Sequence, residues 1–148
     1  MLGSVLSSAL SGVDAFGVEV EVDISAGVPN FRMVGLAEGA VREAFDRMKS
    51  ALRNSGFEFP NRRITVNLAP ADIRKEGSAF DLPMALGVLA ANGVVQKRTR
   101  MGDFVVLGEL ALDGRVKGIK GALASAILAR RADSPGWFCR VRTPQRPR

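Results

Sequence analysis

The stretch Arg62-Arg63-Ile64-Thr65-Val66-Asn67-Leu68-Ala69-Pro70-Ala71-Asp72-Ile73-Arg74-Lys75-Glu76-Gly77-Ser78-Ala79-Phe80-Asp81-Leu82-Pro83-Met84-Ala85-Leu86-Gly87-Val88-Leu89 carries a strand, a charged glycine loop and a buried helix in immediate succession. Ile64, Val66 and Leu68 alternate with Thr65 and Asn67, which is the period of a half-buried strand, and Pro70 ends it. Asp81 is placed to cap the following helix and Pro83 suits its first turn. Met84 to Ala91 is almost wholly apolar, so this helix belongs deep in the core. Between strand and helix, Asp72 to Ser78 holds four charges and one glycine. Junctions of this kind often hold a ligand or a nucleophile in α/β proteins, and a solvated turn is the plainer reading of the same residues.

Outward from that core the same periodicities recur. Strand signals lie at Ser4 to Ser8, at Val18 to Ile24 with Val18, Val20, Val22 and Ile24 on one face, and at Arg32 to Val34. A helix is predicted from Glu38 to Asn54, its core face made by Val41, Phe45, Met48 and Leu52, with Gly56 stopping it. Beyond Gly93 come a basic loop, a strand at Phe104 to Leu107, a hairpin turning at Asp113-Gly114 between Glu109 to Leu112 and Arg115 to Lys117, and an alanine-rich helix from Gly121 to Ala129. No internal repeat or low-complexity tract is present.

Several longer segments carry a resemblance. Gly27-Val28-Pro29-Asn30-Phe31-Arg32-Met33-Val34-Gly35-Leu36, Val41-Arg42-Glu43, Ala51-Leu52-Arg53-Asn54-Ser55-Gly56-Phe57 and Leu107-Gly108-Glu109-Leu110-Ala111-Leu112-Asp113-Gly114-Arg115-Val116 join the opening stretch in the same order. Together they closely resemble the N-terminal domain of magnesium-chelatase-like AAA+ ATPases of the competence-protein ComM (YifB) type, over Met1 to about Arg130. The resemblance implies a ribosomal-protein-S5-domain-2-like α/β fold, similar to the proteolytic domain of Lon, with a mixed sheet and packed helices. It also implies a parent that assembles as a hexameric ring, uses ATP and Mg²⁺, and acts on DNA as a branch-migration helicase in transformation and recombination.

Lon proteases pair a serine with a lysine, the amine serving as base for the hydroxyl. Their serine follows an Asp-Gly-Pro, which matches Glu76-Gly77-Ser78 here and puts Ala79 at the nucleophile position. The lysine position falls near Ser125. Both members of the dyad are missing, so the domain is expected to be non-catalytic. A peptidase using Ser78 with Lys75 or Lys120 is the enzyme alternative, and a purely structural or oligomerisation domain is the other.

Composition excludes more. The 148 residues are 47% hydrophobic, enough for one domain with a real core. Histidine is absent, which removes His-based triads and imidazole metal sites. The single cysteine, Cys139, offers neither an internal disulfide nor a thiolate cluster and fits a reducing cytoplasm. No apolar run approaches the roughly 20 residues of a membrane span, and no basic segment opens a secretory signal. The expectation is a cytoplasmic protein with no membrane partner. A phosphate-wrapping Gly-x-x-x-x-Gly-Lys-Ser/Thr pattern does not occur, so no cofactor is expected in this chain; the resemblance implies that ATP hydrolysis belongs to a module that follows this domain in the family and is truncated here.

From Asp133 the sequence has the only Trp, the only Cys and no further acid. The resembling family has a buried strand there, followed by a segment like Val-Pro-x-x-Asn-Ala-x-Glu-Ala. Read two nucleotides late, the codons for Gly136-Trp137-Phe138-Cys139 must give an apolar residue, then Val, then Leu, and permitted codons for the rest spell Pro-Ser-Ala-Asn-Ala-Pro-Glu-Ala-Ala. A frameshift between about Arg130 and Gly136 is therefore expected. It divides the chain into a domain, 1–130, and an aberrant basic tail, 131–148, with the last strand lost and the apolar side chains Leu123, Ile127 and Leu128 uncovered.

The tail also distorts the charge. The formal +6 and pI near 10.4 invite a nucleic-acid reading. Five of the 21 basic residues and one of the 15 acids lie from Arg131 onward, leaving 16 against 14, or +2, for the domain. Two local clusters are candidate DNA contacts: Arg62, Arg63, Arg74 and Lys75 beside the central loop, and Lys97, Arg98 and Arg100 in the later one. An ordinary solvated surface reads the same way in sequence.

Overall fold

The computed structural model describes residues 1–37, 39–96, 101–131 and 136–139. Strands β1 (Leu2–Ser11) and β2 (Asp14–Ser25) form a long antiparallel hairpin, and β3 (Asn30–Val34) follows. Next come helices α1 (Gly39–Arg42) and α2 (Ala44–Asn54), strand β4 (Arg63–Ala69) and helix α3 (Asp81–Ala91). A 3-10 turn (Met101–Asp103) leads to β5 (Phe104–Leu107), the small hairpin β6 (Glu109–Leu110) and β7 (Val116–Lys117), helix α4 (Ala122–Arg131) and β8 (Gly136–Cys139). Among the described residues the main sheet is mixed, ordered β3-β4-β2-β1-β5-β8, so the expected mixed α/β architecture is present.

Alternation sets the two faces of this sheet. Val18, Val20, Val22 and Ile24 of β2, with Ile64, Val66 and Leu68 of β4, point to one side and are buried there under α2 and α3. β2 and β4 run antiparallel with Val20 opposite Leu68, Val22 opposite Val66 and Ile24 opposite Ile64, which aligns the two apolar rows. On the reverse face Ser4 donates to Glu19 at 2.9 Å and Asn67 to Glu21 at 3.0 Å, a polar surface. Ser8 belongs to that reverse set of β1 and is covered by α4, whose Ser125 accepts its hydrogen bond at 2.7 Å.

Three expectations are corrected here. The helix predicted from Glu38 to Asn54 is interrupted at Glu43, and Glu38 lies outside the described residues. Glu43 keeps right-handed helical angles and its amide donates to the Gly39 carbonyl at 3.0 Å, so the apolar face runs on: Val41, Ala44, Met48 and Leu52 are buried, and Phe45 is half-buried at its rim. Gly56, at φ +87°, stops α2 as expected. Asp81 does not cap α3. It is the first helical residue, wholly buried, and accepts from Arg47 Nε (2.7 Å), Arg47 Nη2 (3.0 Å) and the Leu110 amide (3.0 Å), so it ties α3 to α2 and β6 instead. Nor is the last strand lost. Gly136–Cys139 pairs in parallel with β5, from Phe104↔Gly136 to Leu107↔Cys139, because the outer edge of β5 offers unpaired backbone groups and the Trp-Phe-Cys run has the residue types that suit a strand. Beside it, Leu123 and Ile127 of α4 remain exposed, at 76% and 44%, while Leu128 is half-buried.

The chain turns sharply where β3 ends. Gly35 sits at φ +106°, and a Cβ there would come within 2.2 Å of the Leu68 carbonyl oxygen, so the close approach of this turn to β4 requires glycine. The turn brings the carbonyls of Gly35 and Leu36 to the loop after β4. Leu36 accepts from the Lys75 amide at 3.0 Å.

Candidate functional site

β1 and β5 pair at Leu6↔Val105 and are joined one residue on by Ser7 Oγ, which donates to the Val106 carbonyl at 2.7 Å; past that bond a gap lies between Ser8–Leu10 and Leu107 with Glu109. The gap is a cleft of about 390 Å³, walled by Ser8, Ala9 and Leu10 of β1, Glu76 to Phe80 of the loop before α3, Leu107, Glu109, the Gly118 to Lys120 loop, and Ser125. Backbone hydrogen bonds fix the loop wall: Gly108 donates to Ala79 at 2.9 Å and Leu82 donates to Gly108 at 2.9 Å. The Lon-like comparison therefore falls on one place in three dimensions, since Ser78, Ala79, Lys120 and Ser125 all border this cleft.

Its chemistry is that of spent polar groups. Ala79, at the position the Lon resemblance gives to the nucleophile, contributes a methyl. Ser78 Oγ donates to Glu109 Oε2 at 2.9 Å. Ser8 Oγ donates to Ser125 Oγ at 2.7 Å, and Ser125 Oγ in turn donates to the Gly121 carbonyl at 3.2 Å, a short chain that satisfies both buried hydroxyls. Lys120 is exposed at the rim. Among the described residues no lysine is hydrogen-bonded to Ser78.

Lys75 is occupied elsewhere. Its side chain is fully buried, and its ammonium donates to the Gly35 carbonyl at 2.8 Å and to the Pro70 carbonyl. Burial pulls the amine below the usual lysine value, partly opposed by the Asp72 carboxylate. The group thus clamps the ends of β3 and β4 together, and as a candidate DNA contact it is corrected: no part of it is presented to a ligand.

The remaining basic candidates do not gather. Arg62 and Arg63 precede or open β4, whereas Arg74 and Lys75 follow its far end, roughly 20 Å away for a strand of this length. Arg63 lies against Gly27 on the polar side of the sheet, its guanidinium 3.3 Å from where a Gly27 Cβ would stand. Arg74 is exposed on the loop. Lys97, Arg98 and Arg100 lie outside the described residues. Among the described residues no group of three His, Cys, Asp or Glu side chains is placed to hold a metal, and no helix is long and apolar enough to cross a membrane.

Against known proteins, the family model ChlI, described as subunit ChlI of Mg-chelatase, matches residues 20–139. The chain is 47% identical over 125 residues to YifB of Escherichia coli, a match covering 84% of this chain and 24% of that protein. It is 46% identical over 131 residues to competence protein ComM of Haemophilus influenzae, covering 88% and 26%. With a Mycobacterium tuberculosis protein it shares 40% identity over 138 residues, covering 92% and 26%. The chain thus spans about a quarter of the length of the curated relatives it matches.

Proposed function

Since the chain belongs to the ChlI family of magnesium-chelatase-like proteins, and within it to the ComM and YifB type, we propose that it is the non-catalytic N-terminal domain of a ComM-like AAA+ ATPase. The parent is a branch-migration helicase acting on DNA in natural transformation and recombination. It works as a homohexameric ring with ATP and Mg²⁺, and hydrolysis belongs to a module outside these residues. The domain contributes contacts to DNA and packing within the ring.

The cleft is the observation that carries the non-catalytic part of this reading. A hydroxyl bonded to a carboxylate, a methyl at the nucleophile position and a serine at the base position leave no serine–lysine dyad, although the fold still brings all three positions to one place. Hydrolysis of unfolded casein by the full chain, measured beside its Ser78→Ala variant, tests it. Neither protein should cleave above buffer, and activity that disappears with Ser78 would restore the peptidase reading. A packing-only role is the second reading, favoured by the exposed Leu123 and Ile127 one turn apart on α4.

A further inference from the structure

A second cleft, of about 320 Å³, lies at the opposite end of the sheet, where the edge strand β3 meets α2. Phe31 reaches it from β3, and Phe45, Lys49 and Arg53, spaced four apart, come from one side of α2. The segment leading into β4 adds Phe59, Pro60, Asn61 and Arg62. The three rings are already mutually ordered: Phe31 and Phe45 have centroids 4.2 Å apart and tilted by 30°, and Phe45 and Phe59 meet edge to face at 5.8 Å. Lys49 Nζ lies 5.6 Å from the Phe45 ring and 5.9 Å from the Phe59 ring.

Charge in this cleft has one sign. Lys49, Arg53 and Arg62 line it, and neither Asp46 nor Glu58, the nearest acids in sequence, does. Among the described residues none of the three cations is in an ion pair, whereas Arg47, on the same helix, is spent on Glu43 and Asp81. Half-buried aromatic rings held on a rigid strand and helix, with uncompensated cations at their margin, offer two things at once: faces for stacking a planar base and positive charge for the phosphates beside it.

We propose that this cleft binds single-stranded nucleic acid, with bases stacking on Phe59 and Phe31 and phosphates held by Lys49, Arg53 and Arg62. The proposal rests on the reading of the domain as a DNA-contacting part of its parent and moves that contact from the central loop to the β3–α2 edge. An acidic peptide would meet the same cations but would make no use of the rings, and paired bases in a duplex could not reach them.

The test is fluorescence anisotropy with the full 148-residue chain, a labelled thymidine oligonucleotide, and an unlabelled duplex and poly-glutamate as competitors. Three phosphate contacts predict a log–log salt slope of about −2. Lys49→Glu with Arg62→Glu should weaken binding about tenfold or more, since both contacts become repulsive. Phe59→Leu keeps an apolar side chain but removes the stacking face and should cost about fivefold or more. Circular dichroism identifies any variant that fails to fold, in which case Arg53→Glu, at an exposed position, replaces it. Binding that survives all these changes but falls with Arg74→Glu would overturn the cleft and leave a DNA-contacting domain standing. Equal displacement by poly-glutamate, or preference for the duplex, would overturn base stacking. No binding by the unsubstituted 148-residue chain would overturn both readings.

Discussion

Arg47→Met should be among the most damaging replacements at any side chain that still reaches solvent. Arg47 is 22% exposed while its partner Asp81 is completely buried, so the substitution strands a carboxylate that, among the described residues, keeps only the Leu110 amide as a donor. Breaking a buried pair in this way costs about 3–5 kcal/mol, against a total stability of roughly 5–15 kcal/mol for a domain. For a chain of this size the loss corresponds to a melting temperature lower by about 6–20 °C. The two partners are shifted in the same direction for opposite reasons: the Asp81 hydrogen bonds raise the Arg47 guanidinium above its usual value, whereas burial raises the Asp81 carboxyl above the usual carboxylate range despite the Arg47 and Leu110 donors. An acid raised on folding holds its proton more readily in the folded state, so stability falls as pH rises through the interval between its unfolded and folded pKa values. Removing Arg47 widens that interval. Urea unfolding at pH 7 and near pH 4, followed by circular dichroism, should therefore show a large deficit at neutrality that shrinks on acidification. Adding Asp81→Asn to Arg47→Met should recover much of the neutral-pH loss. A deficit below about 1 kcal/mol, the range of an exposed pair, or one independent of pH, would refute the reasoning.

Two further substitutions test the clamp at the ends of β3 and β4. Gly35→Ala places a methyl against the Leu68 carbonyl in a backbone conformation unfavourable for L-residues, and thermal melting should show a loss of at least about 2 kcal/mol. Lys75→Glu replaces an ammonium shared by the Gly35 and Pro70 carbonyls with a buried anion facing the same oxygens. It should lower the melting temperature sharply, whereas Arg74→Glu on the neighbouring exposed position should leave it nearly unchanged.

What the sequence made legible was local. Alternation at Val18 to Ile24 and Ile64 to Leu68, and the apolar run after Pro83, require no knowledge of distant residues, and β2, β4 and α3 stand where those patterns put them. The ends of β1 were harder to place: the strand runs through Leu2–Ser11, although its serines and glycine weaken the pattern outside its middle, because pairing along β2 holds it. Charged residues deceived for a different reason. Asp81 beside a helix start looks like a cap, and Lys75 in a charged loop looks solvated, until partners 34 and 40 residues away in sequence, Arg47 and Gly35, are brought to them. The β3–α2 cleft left a trace that periodicity alone misassigns. Phe45, Lys49 and Arg53 recur every four residues and Phe59 precedes Arg62 closely, but Phe45 also fits the apolar period of Val41, Met48 and Leu52, and periodicity does not separate a core position from one at the rim of the same face.

Parentage is the claim on which the functional account depends, and the genomic sequence downstream of the Gly121 codon tests it most directly. With a ComM-type parent, this frame or a shifted one runs on into a segment of the Pro-x-x-Asn-Ala type and then a phosphate-binding Gly-x-x-x-x-Gly-Lys-Ser/Thr loop. Frames that all close before either appears would contradict it and leave a stand-alone domain.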